Sequence, residues 1–178
     1  DLTRLFVGSE GTLGVITEVT VRLYGIPEAM SSAVCSFPTL EAAVKTVILT
    51  IQAGIPIARI ELLDHIMMDA INKHAKLSYP VAPTLFLEFH GTQASVEEQA
   101  KLVQEIAHAN GGLDFQWATR AEDRNRLWQA RHDAFWAAKA LRPGCACFST
   151  DVCVPISRLA QCVEETRTDI AASGLTAT

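Results

Sequence analysis

Short strand patterns alternate with longer helical patterns from Ala33 onwards, and this alternation restricts the fold more than any other feature of the sequence. The strand patterns place β-branched and aromatic residues at a period of two, whereas the helical patterns repeat apolar residues every three or four positions. They predict strands at 33–37, 57–63, 85–90, 115–117 and 146–152, and helices at 40–53, 65–75, 95–109, 120–141 and 157–172. We therefore expect a domain that mixes helices and strands.

Residues that start and stop helices support these boundaries. Thr39 and Asp64 are typical N-cap residues, because a short side-chain oxygen accepts a hydrogen bond from a free backbone N–H of the first turn. Ser95 followed by Glu98 has the pattern of a capping box. The predicted helices are followed by residues that do not continue a helix, namely Gly54, Gly111, Gly112, Pro143 and Gly144.

Two sheet architectures are compatible with this alternation. One is a parallel, doubly wound sheet, and the other is an antiparallel sheet. The predicted strands are short and mixed in composition, whereas strands of parallel sheets read as continuous Val, Ile and Leu runs. We therefore predict an α+β fold of the ferredoxin-like kind, with an antiparallel sheet and helices on one face.

Three glycines at a spacing of three, Gly8, Gly11 and Gly14, lie between a short apolar run and a β-branched run. The alternation from Val15 to Leu23 predicts a strand. Residues 9–12 predict a tight loop, and free backbone amides in such loops suit an anion such as phosphate. The spacing matches neither the dinucleotide fingerprint nor the P-loop. A structural turn and a phosphate-binding turn therefore both remain open.

Composition excludes several classes of function. The 178 residues are 49% hydrophobic and 20% charged, with a net charge of −5, and such a chain forms a core without disulfides or metals. The basic residues are scattered among acidic ones, which argues against a nucleic-acid partner. No apolar run has the length of a transmembrane segment, and no secretory signal is recognised. Because the chain lacks an initiator methionine and ends in a pattern typical of the start of a strand, we interpret it as a fragment.

Arg131 is the candidate ligand-binding residue of the predicted helix 120–141. It follows Trp128 by three positions among apolar and aromatic neighbours. A guanidinium in this position pairs with an acid such as Asp133 or Glu122, or it holds a ligand carboxylate with two parallel hydrogen bonds. His132 lies about 100° further round the helix and is not included in the site.

No metal site is predicted within the chain. The single residue between Cys145 and Cys147 does not match the usual C-x₂-C spacing of zinc ligands, and the five histidines lack any ligand-pair spacing. We interpret these cysteines and Cys153 as buried small apolar residues. Five cysteines without a secretory signal indicate reduced thiols in the cytosol or a mitochondrion.

Three blocks of the sequence carry a resemblance to a known family. The block Gly8–Glu18 (GSEGTLGVITE) resembles the end of the FAD-binding domain of flavoproteins of the vanillyl-alcohol oxidase type. The blocks Leu127–His132 and Phe148–Leu159 resemble substrate-domain signatures of the branch that contains D-lactate dehydrogenase and the glycolate oxidase FAD subunit. The blocks occur in the order found in that family, and the likeness extends over essentially the whole chain.

The resemblance implies a domain organisation and a set of site residues. Residues 1–27 would be the C-terminal remnant of the FAD-binding domain, including its final strands, and residues 28–178 a substrate-binding domain truncated at its C-terminal end. Arg131 would bind the substrate carboxylate, and Ser149 is a weaker candidate because other members carry lysine there. The residues implied to line FAD are Ser9, Glu10, Gly11, Thr12, Leu13, Gly14, Val15 and Ile16.

The resemblance also implies a reaction. The full-length protein would be an FAD-dependent oxidoreductase that converts a D-2-hydroxyacid, D-lactate or glycolate, to the 2-oxoacid, with a divalent metal whose ligands lie beyond residue 178. Its partners would be the substrate, an electron acceptor and other copies of itself, in the bacterial cytoplasm or the mitochondrial matrix. The chain by itself would be inactive. The alternatives are another flavin oxidase of the same superfamily and a non-catalytic α+β binding or oligomerisation module.

Overall fold

The computed structural model describes residues 1–147 and 149–178. Within them the strands are β1 (Ala29–Ser36), β2 (Arg59–Leu63), β3 (Thr84–Gly91) and β4 (Leu113–Ala118). The helices are α1 (Leu2–Phe6), α2 (Leu40–Gln52), α3 (His65–Ala75), α4 (Gln93–Ala109), α5 (Ala121–His132), α6 (Ala134–Ala140) and α7 (Leu159–Ser173), and a 3₁₀ turn at Ile156–Arg158 precedes α7. No helix of these residues combines the length and hydropathy needed to cross a bilayer.

The strands form one four-stranded sheet in the order β2-β3-β1-β4, and every neighbouring pair is antiparallel. The two central strands pair over their whole length, from Ala29 opposite Gly91 to Ser36 opposite Thr84. This is the strand order of the ferredoxin-like fold. The predicted α+β class and antiparallel sheet are confirmed.

The helices cover both faces of the sheet rather than one, which corrects the prediction. Helices α2 and α4 pack on the face that carries Cys35 and Leu87, whereas α3, α5 and α6 pack on the face that carries Val34 and Phe86. The central strands are buried on both faces, since all residues from Ser31 to Ser36 and from Thr84 to Leu87 are buried. Neither face of β1 and β3 is therefore left to water, and each needs its own layer of helices.

Two of the predicted helix starts are confirmed. The Oγ1 of Thr39 accepts a hydrogen bond from the amide of Ala42 (3.1 Å), and the Oδ1 of Asp64 accepts one from the amide of Met67 (2.7 Å). These contacts satisfy amide groups that have no partner inside the first turn of the helix.

The predicted start of α4 is wrong. Thr92 is its N-cap, and its Oγ1 accepts from the amide of Ser95 (3.3 Å), so the helix begins two residues earlier. The Oγ of Ser95 accepts instead from the side-chain amide of Gln99 (2.8 Å) one turn along the helix. The side chain of Ser95 is thus used within the helix, and no capping box forms with Glu98.

The single helix predicted at 120–141 is two helices. Asp133 ends α5 with φ −78° and ψ −3° and occupies the N-cap position of α6 without a side-chain capping hydrogen bond. Beyond this break Ala134 and Ala137 are buried in the same core cluster as the α3 residues Met68 and Ile71. Small side chains at this contact allow the two helices to approach closely.

The predicted strand from Val15 to Leu23 does not form. Residues 15–23 are exposed and have no hydrogen-bonded strand neighbour, and residues 2–6 are a short helix. A strand needs a second strand to pair its backbone groups, and none of the described strands lies beside this segment. The strand predicted at 146–152 includes Phe148, which lies outside the described residues, and the described residues of that range form no strand.

Gly112 permits the close approach of α4 and β1, which leads to a first testable prediction. A Cβ at this position would lie 2.8 Å from the carbonyl oxygen of Ala107 and 2.9 Å from the Sγ of Cys35. Overpacking of this kind typically costs about 1 to 3 kcal/mol, and we expect Gly112→Ala to lower the free energy of unfolding by that amount. The urea midpoint of the 178-residue chain measures the effect.

Gly25→Ala is the matched control for this substitution. A Cβ on Gly25 would meet no atom within 4 Å. We therefore expect this variant to change the free energy of unfolding by less than about 0.5 kcal/mol. Equal urea midpoints for the two alanine variants would contradict the close contact at Gly112.

Candidate functional site

Charged side chains gather where helix α5 crosses the sheet. Arg59 and Glu61 lie two residues apart on β2 and therefore point to the same face. Glu88 of β3 lies directly opposite Arg59 in the strand register. Together with Trp128 and Arg131 of α5, these residues form what we call the arginine cluster.

Trp128 anchors α5 to the sheet. Its indole Nε1 donates a hydrogen bond to the Oγ of Ser32 on β1 (3.0 Å), and its ring lies 6.3 Å from the ring of Phe86 on β3. The guanidinium of Arg59 lies over the indole ring of Trp128, 4.2 Å from its centre. Only 6% of Trp128 is exposed. The next turn of α5, which carries Arg131, is therefore fixed relative to the strands.

Arg131 forms an ion pair with Glu61. The pair joins Arg131 Nε to Glu61 Oε2, and both of these atoms are shielded from solvent; the contact is an ion pair, and neither atom has a hydrogen-bond partner. The side chains as a whole are 35% and 30% exposed. Within residues 1–147 and 149–178, the terminal nitrogens Nη1 and Nη2 of Arg131 donate no hydrogen bond. The guanidinium is thus held along its inner edge and presents unpaired donors.

Neither of the acids considered from the sequence is the partner of Arg131. Asp133 accepts a hydrogen bond from the side-chain amide of Gln129 (2.9 Å), and Glu122 lies exposed in the first turn of α5. A planar guanidinium with free terminal nitrogens binds a carboxylate through two parallel hydrogen bonds. The geometry of Arg131 is suited to this chemistry.

Arg59, the other arginine of the cluster, is already occupied. Its Nη2 lies 3.7 Å from Glu88 Oε1, and its guanidinium covers the Trp128 ring. The same Glu88 oxygen also lies 2.8 Å from His90 Nε2. Arg59 therefore has a structural role in holding β2, β3 and α5 together.

The glycine-rich turn is exposed and carries free amides. Gly8, Glu10 and Gly11 have φ angles of 84°, 51° and 79°, which lie in the left-handed region that glycine adopts readily. The turn is closed by Thr12, whose amide and Oγ1 both donate to the carbonyl of Ser9 (2.9 and 2.6 Å). The amides of Glu10 and Gly11 have no partner among the described residues. This geometry fits a phosphate group, but no hydrogen bond or ion pair within the described part joins the turn to Arg131.

The remaining residues implied for FAD continue along the same segment. Leu13, Val15 and Ile16 are 53%, 89% and 55% exposed. None of residues 1–27 is buried. The segment thus leaves both backbone amides and apolar side chains accessible for binding.

The structure places Ser149 in exposed coil, without a hydrogen bond or ion pair to any described residue. Asp151 is exposed in the same coil. The structure therefore does not bring Ser149 to Arg131. Its proposed role in binding substrate has no support from a contact.

The cysteines correct one further prediction. Cys145, Cys147 and Cys153 are exposed rather than buried. Cys35 is buried in the core, and its burial raises the thiol pKa to about 11, so that it stays protonated at neutral pH and packs as a small apolar side chain. In the described part of the chain, no three His, Cys, Asp or Glu side chains are grouped as metal ligands.

Three residues of the cluster were not predicted from the sequence, namely Glu61, Arg59 and Glu88. The signal was present in the strand patterns, because Arg59-x-Glu61 and Glu88-x-His90 each place two charged or polar residues on one face of a strand. The register that brings these strands together, and the helix that crosses them, could not be obtained from the residue spacing.

Comparison with known proteins places the chain in a family. Residues 26–178 match the family of FAD linked oxidases, C-terminal domain. The "Probable D-lactate dehydrogenase, mitochondrial" of Danio rerio is 60% identical over 176 residues, which cover 99% of this chain and 35% of that protein. The "D-lactate dehydrogenase [cytochrome], mitochondrial" of Arabidopsis thaliana is 46% identical, and the match covers 100% of this chain and 31% of the relative.

A bacterial relative and a solved structure extend the comparison. "Glycolate oxidase subunit GlcD" of Bacillus subtilis is 35% identical over 174 residues, or 97% of this chain and 36% of the relative. The chain thus spans about a third of the length of these curated relatives. A structure of alkyldihydroxyacetonephosphate synthase, 21% identical over 76% of this chain and 29% of its own, shares the fold with a TM-score of 0.53. With its antiparallel sheet and a match from residue 26 to residue 178, the chain belongs to the family of FAD linked oxidases, C-terminal domain.

Proposed function

We propose that this chain is part of an FAD-dependent oxidoreductase that oxidises a D-2-hydroxyacid, D-lactate or glycolate, to the corresponding 2-oxoacid. The observation that carries the proposal is the guanidinium of Arg131 on α5, whose Nε pairs with Glu61 and whose terminal nitrogens donate no hydrogen bond to a described residue. The relatives named as D-lactate dehydrogenases and glycolate oxidase subunit support the same class of substrate.

In this proposal Arg131 binds and orients the substrate. Its two terminal nitrogens donate parallel hydrogen bonds to the substrate carboxylate and so fix the position of the neighbouring C2 atom. Fixing a reacting carbon in this way removes part of the entropic barrier to reaction. Ser149 is retained as a second, weaker candidate for contact with the substrate.

The glycine-rich segment is proposed to bind FAD. The free amides of Glu10 and Gly11 would donate to a phosphate oxygen, and residues 12–16 would follow the cofactor. When bound, FAD supplies the acceptor for the hydride that leaves C2 as the alcohol becomes a carbonyl. The described residues supply no ligand set for a divalent metal, whose ligands are proposed to lie beyond residue 178.

The wider assignment follows from the same proposal. Residues 1–27 would belong to the FAD-binding domain and residues 28–178 to the substrate-binding domain. The full-length enzyme would pass its electrons to a separate acceptor and form homo-oligomers. Because relatives are named as mitochondrial proteins in animals and plants, we propose a mitochondrial location in a eukaryote and a cytoplasmic one in a bacterium.

Flavin reduction in the full-length protein tests the proposed function. The purified protein is expected to show the visible absorbance of bound flavin, and anaerobic D-lactate or glycolate is expected to bleach it. L-lactate serves as the stereochemical control, and D-2-hydroxyglutarate tests a larger substrate. A folded full-length protein without flavin, or a flavin that none of these acids reduces, would contradict the proposal and favour the non-catalytic module.

A further inference from the structure

Glu61 occupies one edge of the Arg131 guanidinium and leaves the other edge open. Its carboxylate lies at Nε, where both atoms are shielded from solvent. Glu61 itself belongs to β2, whose backbone pairs with β3 through the register of Glu61 and Phe86. The carboxylate therefore extends from a hydrogen-bonded strand, not from a loop.

We propose that Glu61 is a positioning residue that aims the terminal nitrogens of Arg131 at the substrate carboxylate. This inference rests on the proposed function, in which Arg131 binds that carboxylate. Glu61 does not touch the substrate. Its effect passes through the orientation of the guanidinium.

A guanidinium carries hydrogen-bond donors on two edges, so one edge can contact Glu61 while the other binds the substrate carboxylate. Nε–H and one terminal nitrogen form the inner edge, and the two terminal nitrogens form the outer edge. An arginine side chain has many rotamers, and ordering them at the moment of binding costs free energy. A partner that fixes Nε beforehand removes part of this cost. Because the carboxylate of Glu61 also balances the charge of Arg131, it supplies direction rather than added attraction for an anion.

The second arginine of the cluster provides the contrast. Arg59 faces Glu88 at 3.7 Å and covers Trp128, so that its pair stabilises the packing of β2, β3 and α5. Because that pair also places α5, a substitution of Glu88 is not a neutral control. Asp123→Asn, which breaks the exposed Arg126–Asp123 pair on α5, is the control for Glu61→Gln.

Steady-state kinetics of the full-length enzyme with D-lactate test the proposal. We expect Glu61→Gln to raise KM roughly tenfold, because a misaligned guanidinium weakens one of its hydrogen bonds to the substrate carboxylate, while kcat changes by less than about twofold. Asp123→Asn is expected to change neither constant by more than about twofold, because its pair is exposed and lies outside the cluster. A selective rise in KM separates positioning from general damage to the fold, which would lower kcat as well.

A double-mutant cycle with Arg131→Lys identifies the route of the effect. If Glu61 acts through the guanidinium, Glu61→Gln adds little to the KM of the Arg131→Lys enzyme, because lysine has no Nε edge to orient. Additive effects would overturn the proposal. Should Glu61→Gln fail to fold, Glu61→Asp retains the charge and withdraws the carboxylate, and it is expected to raise KM in the same way.

The outcomes also separate this inference from the proposed function. An unchanged KM in folded Glu61→Gln, together with a raised KM in Arg131→Ala, would overturn the positioning role alone. A lowered KM would show that Glu61 competes with the substrate for Arg131, and would overturn it too. An unchanged KM in Arg131→Ala would contradict the proposed function itself.

Discussion

Arg131→Ala in the full-length protein is expected to lower kcat/KM for D-lactate by the equivalent of about 2 to 4 kcal/mol. The substitution removes both hydrogen bonds that the terminal nitrogens are proposed to donate to the substrate carboxylate. It also leaves Glu61, whose Oε2 is shielded from solvent, without its partner. Initial rates over a range of D-lactate concentrations give the loss as a ratio of kcat/KM values.

Arg126→Ala is the matched control for this substitution. Arg126 lies on the same helix, is 77% exposed, and among the described residues forms an ion pair with Asp123 alone (3.7 Å). Exposed pairs of this kind contribute little, and we expect kcat/KM to change by the equivalent of less than about 0.5 kcal/mol. If Arg131→Ala behaves like Arg126→Ala while both remain folded, Arg131 does not bind the substrate.

Trp128→Ala is expected to destabilise the 178-residue chain by about 3 to 5 kcal/mol. The substitution leaves a cavity between α5 and the sheet, removes the ring over which Arg59 packs, and leaves the Oγ of Ser32 without its donor. Urea denaturation followed by far-UV circular dichroism measures the change. A lowered midpoint with an unchanged slope shows loss of stability without a change of cooperativity.

Two further variants identify the source of this loss. Trp128→Phe retains an aromatic ring and removes only the indole hydrogen bond, so we expect a smaller loss of about 1 to 2 kcal/mol. Trp136→Ala removes a tryptophan that is 56% exposed on α6 and is expected to cost less than about 1 kcal/mol. A similar midpoint for Trp136→Ala and Trp128→Ala would show that Trp128 does not anchor α5.

Local features of the sequence predicted most of the helices. Thr39 and Asp64 cap their helices as expected, because an N-cap contact spans only three residues and does not depend on the rest of the fold. The antiparallel sheet followed from the short, mixed strands. Ser95 was misinterpreted since Thr92, three residues earlier, offers an equivalent oxygen to the same turn.

Features that depend on distant partners were not predictable in this way. Apolar and polar residues do alternate in residues 15–23, but a strand requires a neighbouring strand to pair its backbone groups. The residue pattern of one segment does not show whether such a neighbour exists. The break at Asp133 separates two helices because α5 packs on β1 and α6 on α3, which is a property of the tertiary contacts.

The candidate site also combines a locally predictable residue with a partner that only the tertiary fold provides. Arg131 could be selected from its helical position beside Trp128 and from the family resemblance. Its partner Glu61 lies 70 positions earlier on strand β2 and was not among the acids considered. Spacing along a helix identifies neighbours on that helix, whereas the contact between α5 and β2 depends on the strand order and on the path of the chain.

The attachment of Arg131 and Glu61 to regular secondary structure has an evolutionary consequence. Trp128 fixes the helix to the central strands, and Glu61 extends from a paired strand, so neither position depends on a loop. Insertions and deletions accumulate in loops and leave the hydrogen-bonded elements that they connect in place. Under the proposed function, changes in the loops could therefore alter which hydroxyacid is bound while Glu61 and Arg131 keep their positions.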